Sequence, residues 1–115
     1  TGRLIEACVE SICLLKKNLS KKHLKFFLSF AKKFGLAFQI KDDILDVLGD
    51  EKLIGKPLNS DSKKNKATYP SIIGIEASQQ RAEKLCLEAL NLLEKLPYNT
   101  ENLIKLSKFI ILRKN

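Results

Sequence analysis

The chain has 115 residues and a formal net charge of +8, with 44% hydrophobic and 30% charged residues. That length fits one domain, and that balance excludes a disordered polypeptide. No apolar run approaches the ~18 to 20 residues of a membrane span, and no charged start followed by an apolar stretch marks a signal peptide.

The three cysteines, Cys8, Cys13 and Cys86, are odd in number and lack CxxC spacing. They argue against a disulfide framework and for a reducing, cytoplasmic compartment. Each stands among apolar helix positions and reads as a core thiol. His23 is the only histidine, so a sulfur- or imidazole-based metal site has no ligand set. With 5 Gly, 3 Pro and few β-branched alternations, the composition favours helix, and we expect an all-α fold. The excess of 21 Lys and Arg over 13 Asp and Glu suits nucleic acid, an anionic membrane surface or phosphorylated substrates. Equally, lysine is spread over every segment and can simply solvate an ordinary surface.

In chain order, residues 1 to 18 form a first helix, with Leu4, Ile5, Cys8, Val9, Ile12 and Leu15 as its core stripe. Thr1 and Gly2 stand at its start, where unpaired backbone N–H groups favour an N-cap or an anion. Leu19 to Lys22 is a polar break, and Ser20 is placed to cap a long helix from about Lys21 to Asp50. Phe26, Phe30 and Phe34 step by four along it with Phe27 beside them, a packing pattern. Gly35 allows a neighbouring helix to approach closely. Residues 51 to 67 lose periodicity and read as a basic loop carrying Lys56, Lys63, Lys64 and Lys66. Thr68 and Pro70 restart helix, first over Ser71 to Gly74 and then over Ile75 to Leu96. The longer helix packs Ala82, Leu85, Cys86, Ala89, Leu92, Leu93 and Leu96, and Pro97 ends it. Thr100 caps a last helix with Leu103, Ile104, Leu106, Ile110 and Ile111 as its apolar positions. No strand, repeat or second domain is predicted.

One stretch stands out. Wound at about 100° per residue from Leu36, the apolar side chains of residues 36 to 48 fall between roughly 0° and 200°. Asp42, Asp46, Gln39, Asp50 and Asp43 fall between roughly 240° and 340°. Asp42 and Asp46 are four apart and repel unless something positive lies between them. Carboxylates at i, i+1 and i+4 on one face suit Mg²⁺, which takes one or two protein carboxylates, waters and substrate phosphate oxygens. Lysines from the adjacent loop would neutralise the rest of a diphosphate, whose departure such charges assist. An EF-hand is excluded by spacing, and covalent hydrolase chemistry has no triad. A plainly solvated acidic face remains the other reading of the patch by itself.

The run from Gly35 through Phe38-Gln39, Asp42-Asp43 and Asp46 to Asp50 resembles the second aspartate-rich region of the trans-isoprenyl diphosphate synthases. Among these it is most similar to the bacterial farnesyl diphosphate synthases. The likeness continues through Gly55-Lys56, Asp61, Lys66 to Pro70, and Phe109 to Arg113, and Thr1-Gly2 resembles the end of a Lys-Thr-Gly segment. It implies the C-terminal helices of the isoprenoid synthase helical bundle. In that fold, two aspartate-rich helices face each other and hold Mg²⁺ on an allylic diphosphate. By the same resemblance, Asp42, Asp43 and Asp46 would serve the metal, with Asp42 central to catalysis. Thr1, Gln39, Lys56 and Lys66 would contact the diphosphate or help it leave, and Arg113 matches a basic residue near the family's C-terminus. The implied reaction condenses isopentenyl diphosphate with an allylic diphosphate, in an enzyme that is a homodimer with no nucleic-acid and no membrane partner. Family members run to roughly 300 residues, the size of one large helical domain. No first aspartate-rich motif, upstream arginine pair or lysine before Thr1 is present, and Asn59 and Asn65 replace family glycines. We therefore expect residues 1 to 115 to be a partial domain, the C-terminal third of a longer chain, inactive alone. A basic helical module that binds nucleic acid is the alternative from another class.

Overall fold

The computed structural model describes residues 2–54 and 67–112. It is all-α, with no strand among the described residues: α1 (Gly2–Leu15), α2 (Lys21–Ile54), α3 (Tyr69–Ile73), α4 (Ile75–Glu94) and α5 (Glu101–Leu112). The long α2 is the spine. α1 lies along one side of it and α4 along the other, with α3 and α5 against α4 and α2.

The α2–α4 seam is the core. Phe30, Ala31, Phe34, Ala37, Ile40 and Ile44 face Ala82, Leu85, Cys86, Ala89 and Leu93, all buried. Alanines on both helices let the axes approach, and each fully buried large side chain contributes about 1.5–3 kcal/mol by removal from water. The predicted phenylalanine ladder is present: Phe30 and Phe34 stack at 5.7 Å, while Phe27 stacks on Tyr98 at 6.0 Å. Lys33 Nζ donates to Glu88 Oε2 at 2.8 Å, an ion pair across the same two helices.

The caps are mostly those expected. Ser20 Oγ accepts from His23 N at 3.1 Å. Thr68 and Ser71 exchange reciprocal hydrogen bonds as a capping box for α3. Gly74, at φ 88°, makes the break between α3 and α4. At α5, however, Asn99 Oδ1 rather than the Thr100 hydroxyl accepts from Glu101 N, while Thr100 gives only its carbonyl to Ile104.

Several expectations need correction. α1 ends at Leu15, and α2 runs four residues past Asp50, so residues 51–54 are helical rather than loop. The rest of the expected basic loop, 55–66, lies outside the described residues. The α1 stripe is narrower than its sequence suggests: only Ile5, Val9 and Cys13 turn toward α2. Leu4, Cys8, Ile12 and Leu15 are exposed, because the apolar arc of α1 is wider than the single helix it meets. Cys8 is therefore not a core thiol. Leu106, expected in the core of α5, is also exposed, whereas Ser107 and Ile111 are buried.

Burial raises the pKa of Cys86, opposed by Lys108, and burial with the Glu10 charge raises that of Cys13. In the native protein a disulfide reagent should titrate one thiol quickly, Cys8, and release Cys13 and Cys86 only on unfolding. Equal rates for all three would contradict this packing. The hydrogen bond and charge of Lys33 hold the Glu88 carboxyl below its ordinary value. The pair thus stabilises the fold above the unfolded carboxylate range and is lost as pH falls through the folded pKa. Urea titrations at several pH values should show Glu88→Gln flattening this acid limb while leaving neutral-to-alkaline pH dependence unchanged.

Candidate functional site

The acidic turns of α2 belong to its solvent side because its other side is committed to α4. With Ala37, Ile40 and Ile44 buried, Asp42 and Asp46 are exposed one turn apart, and Gln39 and Asp43 are half-buried beside them. Gln39 Nε2 donates to Asp43 Oδ1 at 3.2 Å, so the amide holds the middle carboxylate in place. Among the described residues, no lysine or arginine forms an ion pair with Asp42 or Asp46.

The start of α1 comes to this face through a glycine contact. A Cβ built on Gly35 would lie 3.1 Å from Gly2 Cα and 3.3 Å from Gly2 O. The backbones therefore touch where α1 crosses α2, as Gly35 predicted. This contact brings the first turn of α1, which carries no acidic residue, beside Gln39. An open groove of about 400 Å³ runs between them, with Gly2, Arg3, Glu6, Lys32 and Gln39 in its wall. A helix first turn, an amide and two cations favour an anion there, and the Glu6 carboxylate opposes it.

Among the described residues, no three His, Cys, Asp or Glu side chains converge on one point. The donor chemistry nonetheless fits Mg²⁺, which accepts one or two carboxylate oxygens and fills its shell with water and phosphate. Thr1, Lys56, Lys66 and Arg113 lie outside the described residues; the structure brings together Gln39, Asp42, Asp43 and Asp46.

One residue at this end was not anticipated. Lys41, next to Asp42, is only 5% exposed. Its Nζ donates to Gln79 Oε1 at 3.2 Å, and Gln79 Nε2 donates to Glu83 Oε1 at 2.9 Å. The signal was available, since Lys41 falls near 140° on the same wheel, within the apolar arc. A charge there needs a polar partner, and α4 supplies it.

The polyprenyl synthetase family model matches residues 1–106. The chain belongs to the polyprenyl synthetase family. It is 39% identical to farnesyl diphosphate synthase of Haemophilus influenzae across the whole chain, covering 39% of that protein. It is 42% identical to geranylgeranyl diphosphate synthase of Cyanophora paradoxa, again across the whole chain, covering 38% of that protein. Against farnesyl diphosphate synthase of Escherichia coli it is 36% identical over 98% of the chain and 39% of the relative. The chain thus spans about two fifths of the length of these synthetases. Family membership does not favour the nucleic-acid reading of the chain.

The glycine crossing gives a direct check on this geometry. Gly35→Ala forces α1 off α2 and should cost about 1–3 kcal/mol in chemical denaturation. Gly49→Ala, where nothing lies within 4 Å of the added carbon, should be neutral or slightly stabilising.

Proposed function

We propose that this chain supplies one wall of a trans-prenyltransferase site in a longer protein. There, isopentenyl diphosphate is condensed with dimethylallyl or geranyl diphosphate to give farnesyl diphosphate or a similar product. The observation that carries the reading is the pair Asp42 and Asp46, exposed one turn apart beside Gln39 and the first turn of α1.

In this reading Asp42 and Asp46 present hard oxygens to Mg²⁺, with Asp43 turned by Gln39 to the edge of the same face. The metal, when bound, offsets diphosphate charge and stabilises the charge developing on the leaving oxygen. Gln39, Thr1 and the α1 first turn bind the allylic diphosphate, and Lys56, Lys66 and Arg113 complement its remaining charge. A facing wall with a second carboxylate helix completes the clamp, so residues 1–115 form part of a domain. The homodimer and the cytoplasmic setting belong to the same proposal. No helix among the described residues is long and apolar enough to cross a membrane.

Two measurements test it. In the longer protein, Asp42→Ala should lower kcat/KM for the allylic substrate by about 100-fold or more, and raise the Mg²⁺ needed for half-maximal rate. Its melting temperature should stay near that of the parent, because Asp42 is exposed. The 115-residue chain alone should show no condensation product. Product formed by it, or full activity in Asp42→Ala, would refute the proposal.

A further inference from the structure

Among the described residues Lys41 is the only buried side chain that carries a charge, and it stands next to Asp42. It lies in a cleft where α2, α4 and α5 meet, with Ile44, Ile75 and Leu112 in the wall beside Gln79 and Glu83. Its Nζ donates to Gln79 Oε1 at 3.2 Å, and Gln79 Nε2 donates on to Glu83 Oε1 at 2.9 Å. Ammonium, amide and carboxylate thus form a chain that runs from the acidic turns of α2 into the second turn of α4. Every member belongs to a described helix, so whatever else covers the cleft, this contact is already made within residues 1–115.

Apolar contact decides which face of α2 turns inward, but it has no preferred direction and tolerates a small roll of the helix. A hydrogen bond from an ammonium weakens steeply off line and resists that roll. The last buried apolar position described on α2 is Ile44, and Asp46 lies beyond it. A roll of about 20° carries a side-chain tip, roughly 5–6 Å from the axis, through about 2 Å. Mg²⁺ demands near-octahedral oxygens at roughly 2.0–2.1 Å, so a shift of that size decides whether two carboxylates can serve one ion.

We propose that Lys41 is a positioning residue. Tied to Gln79, it fixes the rotation of the turn from Asp42 to Asp46 and so sets the divalent-cation affinity of that face without touching the ion. This role rests on the reading of Asp42 and Asp46 as metal ligands. Lys33 supplies the contrast. It too reaches α4 from α2, through Glu88, but roughly 12 Å before Lys41 along the axis, where Phe30, Ala31, Phe34 and Ala37 already hold the helix.

The test is Mn²⁺ binding by the longer protein with inorganic diphosphate present, read from the electron paramagnetic resonance signal of the free ion, so that no turnover is needed. Mn²⁺ takes the same oxygen ligands as Mg²⁺. Lys41→Met keeps an unbranched stem in the cleft and removes the ammonium. It should weaken Mn²⁺ binding about tenfold, while its metal-free melting temperature falls no further than that of Lys33→Met. Gln79→Met cuts the same contact from α4 and should weaken binding in the same direction; it carries the comparison if Lys41→Met melts too low. The double variant should lose less than the product of the two single losses, because both act through one contact. Lys33→Met should stay within about twofold of the parent. Where Asp42→Ala lowers Mn²⁺ affinity, parent-like affinity in both Lys41→Met and Gln79→Met overturns the proposal and leaves the site reading standing. An equal loss in Lys33→Met, or fully multiplicative losses in the double variant, overturns it as well. Unchanged affinity in Asp42→Ala refutes the site reading, and the role of Lys41 falls with it.

Discussion

The axial rotation of α2 is the constraint on which the acidic site depends. A helix of this length with carboxylates on one arc is useful only if that arc cannot turn inward. Phe30, Phe34, Ala37, Ile40 and Ile44 lock the opposite arc into α4, and each is almost free of solvent contact. A rotation of one residue would bury Asp46 or Asp42 against leucines and alanines, at a desolvation cost of several kcal/mol. Lys33 and Lys41 reinforce the setting with polar contacts to α4 from two points on α2. Packing on one face therefore determines what chemistry the other face can offer.

Much of this was legible because the helical period separates residue types so cleanly around Asp42. Ala37, Ile44 and Leu48 fall on the arc opposite the carboxylates, so the sequence alone places Asp42 and Asp46 on the solvent side. The glycine at position 35 was legible for a similar reason, as a missing side chain in a crowded apolar run. Lys41 was harder, because a long flexible cation can either leave an apolar arc or find a partner there, and the partner, Gln79, is 38 residues away. Local periodicity carries no information on such distant pairing. α1 shows the converse limit. Its apolar arc is broad enough to serve two contacts, and periodicity cannot say which part meets α2. Hence Cys8 and Leu4 were assigned inward, though they face out.

Charge is segregated along α2. Lysines at the turn between α1 and α2 have no acidic neighbours in sequence, whereas the far turns of α2 concentrate carboxylates in a chain of net charge +8. Most basic chains bury this contrast by alternating signs along a helix, which gives small pairing gains and no directional field. Here the segregation costs those local pairs.

Among the described helices α1 touches only α2, and its inward face is three modest side chains and a glycine. Amide hydrogens in such an element exchange through local opening that needs no rupture of the α2–α4 core. Yet its first turn forms part of the wall of the groove beside Gln39. Any ligand held there favours the docked state of α1 and slows its amide exchange, while the core amides keep their rates. The helix held by a single described neighbour is thus also the one whose protection reports most directly on occupancy.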